Sequence, residues 1–181
     1  MAEKNFKVLE SNTVFAGKIM DVHRDTIQFD NGRTAIREMI AKHDMASAVA
    51  AIDPDGKLIF VQQYRYGTDK VMLEVPAGLY NKGEDGETCA VRELEEETGY
   101  KAGKTTFLFD YYATPGYCSE KITVYLCTDL VPTHQNLDPD EYITLYRYTV
   151  DEAIEMIRQG KITDGKTIAV IFAVKDRFKM D

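Results

Sequence analysis

Three glutamates on one helical face limit what this chain can fold into and bind. Residues 78–100 read Gly78-Leu79-Tyr80-Asn81-Lys82-Gly83-Glu84-Asp85-Gly86-Glu87-Thr88-Cys89-Ala90-Val91-Arg92-Glu93-Leu94-Glu95-Glu96-Glu97-Thr98-Gly99-Tyr100. Helical residues advance about 100° each, so Glu93, Glu96 and Glu97, at i, i+3 and i+4, share one narrow face. Ala90, Val91 and Leu94 fall on another face, which can enter a core. Crowded like charges repel by roughly a few tenths of a kcal/mol per pair. A hard cation reverses that sign, because Mg²⁺ or Mn²⁺ takes oxygen ligands. Arg92, four residues before Glu96, can hold the end of the row. Gly99 supplies the stop expected after a helix. The segment contributes no Cys–His cluster, so the chemistry points to Mg²⁺ or Mn²⁺ rather than zinc. Such ions bridge phosphate oxygens, which makes hydrolysis of a phosphoanhydride the natural expectation.

Bulk properties narrow the class further. A chain of 181 residues suits one medium domain, or a compact domain with an added subdomain, and can bury a core without staples. A net charge of −8 argues against a general binder of nucleic acid or anionic membrane. Cys89, Cys118 and Cys127 lack metal-ligand spacing and read as reduced thiols. No apolar run reaches the length of a membrane span, and the opening residues lack a signal-peptide core. The expectation is a soluble cytoplasmic protein. His23, His43 and His134 belong to no recognisable triad, and Cys118 and Ser119 have no assignable partner, so covalent catalysis by the protein is not expected.

Patterning predicts mostly strands with few helices. Val14–His23 and Thr26–Phe29 alternate in a strand-like way and are separated from Thr34–Ile40 by the turn Asp30-Asn31-Gly32, which predicts a small antiparallel sheet. Ser47–Ile52 and Leu58–Tyr64 flank the turn Asp53-Pro54-Asp55-Gly56, and Val71–Val75 is a further strand. Thr105–Ala113, Ile122–Leu130 and Tyr142–Val150 complete the strands, and helices are predicted near Val150–Gln159 and Lys166–Lys179. Strands with a few intercalated helices predict an α+β fold with a mixed sheet between helices.

The residue order of the acidic segment resembles the signature of the Nudix hydrolases, Gly-x5-Glu-x7-Arg-Glu-U-x-Glu-Glu-x-Gly-U, with U a bulky apolar residue. Gly78, Glu84, Arg92, Glu93, Glu96, Glu97 and Gly99 meet every fixed position; Leu94 fills the first U, and Tyr100 stands where an aliphatic residue is more usual. Gln63-Tyr64-Arg65, Leu73-Glu74-Val75-Pro76-Ala77-Gly78 and Asp110-Tyr111-Tyr112-Ala113-Thr114-Pro115-Gly116 are similar to the ADP-ribose pyrophosphatase branch, in which a proline stands about sixteen residues beyond the box, as Pro115 does here. The segments Leu137–Ile143, Val150–Ala153 and Asp164-Gly165-Lys166-Thr167 continue the likeness, which runs from about residue 34 to the C-terminus.

This resemblance implies a Nudix α/β/α sandwich with a mixed central sheet over 45–181, preceded by a small antiparallel sheet over 1–44 that builds a homodimer. It implies that the Ala77 carbonyl and the carboxylates of Glu93 and Glu97 ligate metal, joined by Glu96 in some states, and that Gly78 is required where backbone approaches the metal closely. Arg65 would clamp the diphosphate with its planar fork. Glu74 would orient Arg65 or touch the terminal ribose, and Glu84 would brace the loop before the helix. Glu120 matches a position of substrate or partner contact, and Arg37 and Glu38 would help hold the nucleobase across the dimer interface. The branch keeps its catalytic base on an acidic mobile loop, here Asp138-Pro139-Asp140-Glu141, with Pro139 in place of an acid; Glu141 is the choice, with Asp138 and Asp140 in reserve.

The implied activity is metal-dependent cleavage of ADP-ribose to AMP and ribose 5-phosphate. The alternatives are the same chemistry on GDP-mannose or another ADP-sugar, nucleoside triphosphate clean-up, against which Pro115 and the N-terminal sheet count, and a non-catalytic ADP-ribose sensor. A sensor would be expected to lose box carboxylates or carry a DNA-binding module, and this chain shows neither change.

Overall fold

A computed structural model describes residues 4–41 and 45–177. In chain order the elements are β1 (Phe6–Ala16), β2 (Asp21–Phe29), β3 (Thr34–Ala41), β4 (Met45–Ala51), β5 (Leu58–Arg65), β6 (Lys70–Glu74), β7 (Ala77–Leu79), α1 (Gly86–Thr98) and β8 (Tyr100–Lys101). There follow β9 (Lys104–Tyr112), β10 (Lys121–Thr128), β11 (Val131–Pro132), β12 (Thr144–Tyr148), α2 (Val150–Arg158) and α3 (Gly165–Arg177). The fold is α+β, with a mixed sheet and helices after a small antiparallel sheet, as the patterning predicts. The last residues of the predicted C-terminal helix, together with His43, lie outside the described residues.

Contacts divide the chain into two units. One joins the described N-terminal residues to Tyr112–Lys121; the other comprises Met45–Tyr111 and the rest of the chain from Ile122. In the first unit β1, β2 and β3 form an antiparallel sheet. The run Val14–His23 is broken rather than continuous. Gly17 N–H donates to the Met20 carbonyl at 3.0 Å and to Asp21 Oδ1 at 3.1 Å, which folds the chain back at Gly17–Met20. A Cβ on Gly17 would approach the Met20 carbonyl oxygen to 2.8 Å, so the turn suits glycine. The predicted turn before β3 is present, with Gly32 at φ 84°. The segment Thr114–Ser119 joins this unit through β3: Ile40 N–H donates to the Tyr117 carbonyl at 2.7 Å.

In the second unit, β4 explains the layering. It sits inside the four-stranded sheet β7-β4-β10-β9 and is buried on both faces. Alternate side chains point opposite ways along a strand. Ala46, Ala48, Ala50 and Ile52 accordingly pack into one core with Val170, Ile171 and Val174 of α3. Val49 and Ala51 pack into another with Ala90 and Leu94 of α1. The next strand, β5, divides in the same way: Leu58 and Phe60 enter the α3-side core and Ile59 the α1-side core. The Asp53–Gly56 turn forms as predicted, with Asp53 Oδ1 accepting from Asp55 N–H and Lys57 N–H at 2.9 Å each. The strands it joins nevertheless part into different sheets, β5 pairing with β6 and β12. Among the described residues no helix is long and apolar enough to cross a membrane.

Candidate active site

The acidic segment becomes α1 because its ends are capped and its apolar side is buried. Asp85 accepts from Thr88 N–H at 2.8 Å at the N-cap, and Gly99 takes the left-handed conformation (φ 70°) with its N–H on the Glu95 carbonyl. Burying Ala90 and Leu94 turns Glu93 and Glu97 toward Ala77-Gly78, while Glu96 stays on the outer flank with Arg92. Glu97 is buried, and its Oε2 accepts from Ala77 N–H at 3.1 Å. Gly78 lies directly against Glu93; a Cβ there would run into the Glu93 carboxylate. A side chain at residue 78 would displace the Glu93 carboxylate from the backbone.

Charge at this place is unevenly balanced. Burial, then the neighbouring Glu93 charge, pushes the Glu97 carboxyl from its ordinary 4.5 up to about 8, against the pull of the Ala77 N–H; the charge of Glu141 adds to the rise. Glu93 is also raised by burial, opposed by Arg92. Arg92 is the hub of the outer half. Its Nε and Nη2 donate to Glu84 at 2.8 and 2.9 Å, its Nη1 to Glu93 at 2.6 Å and Glu96 at 2.8 Å, and its Nη2 also to the Leu79 carbonyl at 3.0 Å. These bonds hold Glu84 down at about 2, helped by Asn81 N–H at 2.7 Å. Glu84 therefore ties the loop before the helix to the helix itself.

Among the described residues no three His, Cys, Asp or Glu side chains already converge as a metal cluster. The donor chemistry still fits a hard cation. Glu93 and Glu97 offer only oxygen, the charge of Arg65 only partly offsets the burial of Glu97, and Gly78 brings the backbone in beside them.

Beside the box lies a second charged cluster. Arg65 Nε and Nη2 grip Glu74 as a fork, each bond 2.8 Å. Glu74 is buried, and its Oε2 also takes a bond from Lys166 Nζ, which reaches Asp164 Oδ2 at 3.0 Å. Burial raises Glu74, but Arg65 and Lys166 outweigh it, so the carboxyl lies below its ordinary value. Arg65 keeps 42 % of its side chain exposed, leaving its guanidinium open to solvent on one side. Lys166 was not among the sequence candidates; the Asp164-Gly165-Lys166-Thr167 spacing at a helix start was the signal that could have marked it.

The acidic loop is brought to α1 by bonds the sequence does not advertise. Thr133 N–H donates to the Gly99 carbonyl at 2.7 Å, Gln135 Nε2 to the Glu97 carbonyl at 2.6 Å and Asn136 N–H to the Glu96 carbonyl at 3.0 Å. Carbonyls at a helix C-terminus lack intrahelical partners, so this strand of loop satisfies them. Beyond it, Glu141 N–H donates to the Asp138 carbonyl at 2.9 Å and Glu141 Oε2 accepts from Asp138 N–H at 3.2 Å, closing a turn. Glu141 is half-buried and its charge acts on Glu93 and Glu97; Asp138 and Asp140 are exposed. A cleft of about 680 Å³ opens on the Glu96 flank of α1, between Glu95, Lys101, His134 and Asn136; it does not include Arg65 or Glu97.

Arg37, Glu38 and Glu120 belong to the N-terminal unit. Arg37 is exposed on β3 with Nη1 on the Ile36 carbonyl at 3.0 Å and its guanidinium over the Phe29 ring. Glu38 is exposed and lies 3.8 Å from Arg24; Glu120 is half-buried.

Comparison with known proteins agrees with this geometry. The NUDIX domain profile matches residues 42–170, and that of the nucleoside diphosphate sugar hydrolase N-terminal domain matches 6–40. The chain is 35 % identical over 167 residues to an ADP-ribose pyrophosphatase of Bacillus subtilis (strain 168), covering 91 % of this chain and 90 % of that protein. It is 36 % identical over the same length and shares to a methanol dehydrogenase activator of Bacillus methanolicus. A crystal structure of an ADP compounds hydrolase superposes with a TM-score of 0.90 at 25 % identity, over 99 % of this chain and 97 % of that one. With the profile spanning most of its length and whole-length relatives of this kind, the chain belongs to the Nudix family.

Proposed function

We propose that this chain is a divalent-metal-dependent pyrophosphatase that cleaves ADP-ribose to AMP and ribose 5-phosphate. The observation that carries the reading is the pairing of two clusters of opposite character: Glu93 and Glu97 pressed against Ala77-Gly78, and the partly exposed guanidinium of Arg65, oriented by Glu74 through its Nε and Nη2. The substrate is taken from the Bacillus subtilis relative, which aligns over nearly the whole of both chains.

The Ala77 carbonyl, Glu93 and Glu97, joined by Glu96, would hold Mg²⁺ or Mn²⁺. Bound there, the ion would neutralise phosphate oxygens and make water a better nucleophile near neutral pH. Arg65 holds the diphosphate through the guanidinium edge that Glu74 leaves open, and Gly78 keeps the backbone close enough for a carbonyl to serve as ligand. Glu141, alone of the three acidic-loop candidates half-buried and felt by the box, takes the proton of the attacking water. Glu96 must exchange Arg92 for the ion if it is to ligate.

The functional unit in this reading is a cytoplasmic homodimer built through the N-terminal sheet over 1–44, with Arg37 and Glu38 on the nucleobase and Glu120 in substrate contact. Support for the dimer is the apolar surface of that sheet, where Phe15 and Ile19 are 55 % and 69 % exposed and Val8, Leu9, Val14 and Ile36 are exposed with them. Support for the compartment is the set of three free cysteines.

The test is product analysis with Mg²⁺ and a panel of ADP-ribose, other ADP-sugars and GDP-mannose, comparing the native chain with Glu97→Gln. AMP and ribose 5-phosphate from ADP-ribose, lost in the variant, are expected. A higher kcat/KM on GDP-mannose would keep the chemistry and replace the substrate. ADP-ribose binding without turnover of any diphosphate would overturn the enzyme reading in favour of a sensor.

A further inference from the structure

We propose that the first turn of α3 is a positioning element for the cation site, acting through Thr167 on the loop that carries Ala77. The inference rests on the reading above that Ala77, Glu93 and Glu97 hold a divalent ion.

The segment between β6 and Gly78 is Val75-Pro76-Ala77, and because proline has no N–H it offers only two backbone donors. Ala77 N–H goes to Glu97 Oε2 at 3.1 Å. Val75 N–H goes to Thr167 Oγ1 at 2.9 Å, across 92 residues of sequence. The Pro76 carbonyl accepts from Val49 N–H at 2.8 Å. Each of these three residues is thus held, Ala77 also by its register with Ala48 of β4, and Thr167 supplies the hold from α3.

The Thr167 hydroxyl is itself oriented. Asp164 Oδ2 accepts both Thr167 N–H at 3.0 Å and Thr167 Oγ1–H at 2.7 Å. With its proton committed to Asp164, the oxygen presents a lone pair to Val75 N–H. Lys166, in the same turn, bonds Asp164 and Glu74, so two successive residues of the strand end are held by α3: Glu74 by its carboxylate and Val75 by its N–H. Thr167 and Val75 are buried, so neither water nor a neighbour replaces a lost hydroxyl without movement. Removing that hydroxyl leaves a buried N–H unpaired, and the segment is expected to turn toward a new partner, carrying the Ala77 carbonyl with it.

Partners bonded directly to metal ligands typically change affinity by about ten- to a hundredfold; Thr167 bonds Val75, two residues before Ala77, so the lower end of that range is expected. The experiment is a Mn²⁺ titration of the full chain without substrate, following free Mn²⁺ by electron paramagnetic resonance, with circular dichroism to verify folding. Thr167→Val keeps the volume and removes the hydroxyl; Mn²⁺ affinity is expected to fall about tenfold. Thr167→Ser keeps the hydroxyl and should bind within about twofold of the native chain, well inside that tenfold effect. Asp164→Ala, at a partly exposed position, frees the hydroxyl from its orientation and should weaken Mn²⁺ several-fold, which keeps the idea testable if Thr167→Val does not fold. Native affinity in Thr167→Val or, should it not fold, in Asp164→Ala would overturn the proposal, as would equal losses in the valine and serine variants, since the methyl and not the hydroxyl would then matter. Glu97→Gln separates the two readings. If it loses Mn²⁺ while Thr167→Val does not, only the α3 role fails; if it binds Mn²⁺ normally, the cation site itself is misplaced and the α3 role falls with it.

Discussion

Glu74 and Glu97 are both glutamates at the edge of the same loop, 1 % and 3 % exposed, and they carry opposite electrostatics. Glu74 is gripped by Arg65 and Lys166 and lies below its ordinary value despite burial. Glu97 has one backbone N–H, two carboxylate neighbours whose charges repel it, only a weak pull from the Arg65 charge with no bond to it among the described residues, and a value raised to about 8. Burial alone raises both; the difference is the presence of protein cations. Glu74 is a finished ion cluster whose charge serves to fix Arg65. Glu97 is an unfinished one, and that is the electrostatic condition in which an external cation binds well.

The strongest break of this comparison is Glu97→Gln. Loss of a ligand should exceed the ten- to hundredfold effect typical of outlying partners, so turnover of ADP-ribose is expected to fall by more than about a hundredfold. The same substitution removes a poorly compensated buried charge, so the metal-free variant should unfold at equal or higher urea than the native chain at pH 8. Glu74→Gln should do the reverse. It leaves Arg65 without its carboxylate and Lys166 with Asp164 alone, and loss of these charged hydrogen bonds costs about 1.5–3 kcal/mol, read as a lower urea midpoint. A stable Glu74→Gln protein, or a destabilised Glu97→Gln protein, would erase the distinction between the two residues.

The pH dependence sharpens it. With a folded value of about 8 against 4.5, Glu97 binds more proton in the folded than in the unfolded state between those limits. Stability of the metal-free chain should therefore fall as pH rises from about 5 to 8, by on the order of 2 kcal/mol or more, since each unit is worth about 1.4. Glu74 has the opposite sign, contributing stability above its ordinary value that is lost only as pH falls. Urea midpoints at pH 6 and 8 check this: the decline should disappear in Glu97→Gln and be reversed by Mg²⁺ in the native chain. A flat native profile would mean that Glu97 is already compensated.

The half of the site built by near neighbours was legible in the sequence, and the half built across the chain was not. Helical spacing placed Glu93, Glu96 and Glu97 together, and Asp85 and Gly99 mark the helix ends within a single segment. Arg65 and Glu74 lie nine residues apart on paired strands, and the resemblance supplied their link. Thr167, Lys166, Gln135 and Asn136 contact residues 38 or more positions away, by single polar bonds that leave no periodic trace. The same limit explains the strands. Val14–His23 alternates well enough to read as one, and the bonds of Gly17 N–H to the Met20 carbonyl and the Asp21 carboxylate break it. The Asp53 turn was plain, yet nothing in Ser47–Tyr64 says that β4 and β5 part into different sheets; that follows from each strand needing cover on both faces.

Glu84 offers the smallest and most discriminating variation, because it is a third glutamate whose charge is met by the protein. Arg92 holds it at about 2, and Asn81 N–H adds to the hold. A carboxyl depressed in the folded state contributes stability that is complete above 4.5 and fades as pH falls toward its folded value. Glu84→Gln should therefore lower stability at pH 7 by about 1.5–3 kcal/mol, the worth of charged hydrogen bonds, with a deficit that shrinks steadily below pH 4.5. Arg92, released from Glu84, turns its whole charge to Glu93 and Glu96, so Mn²⁺ should bind more weakly although no ligand has changed. Measured as urea midpoints at pH 7 and 3.5 and as Mn²⁺ affinity at pH 7, the variant behaves like Glu74→Gln in its stability and like Glu97→Gln in its metal. A variant that loses stability but keeps native Mn²⁺ affinity would show that Arg92 does not compete with the cation, and that the unfinished charge is Glu97 alone.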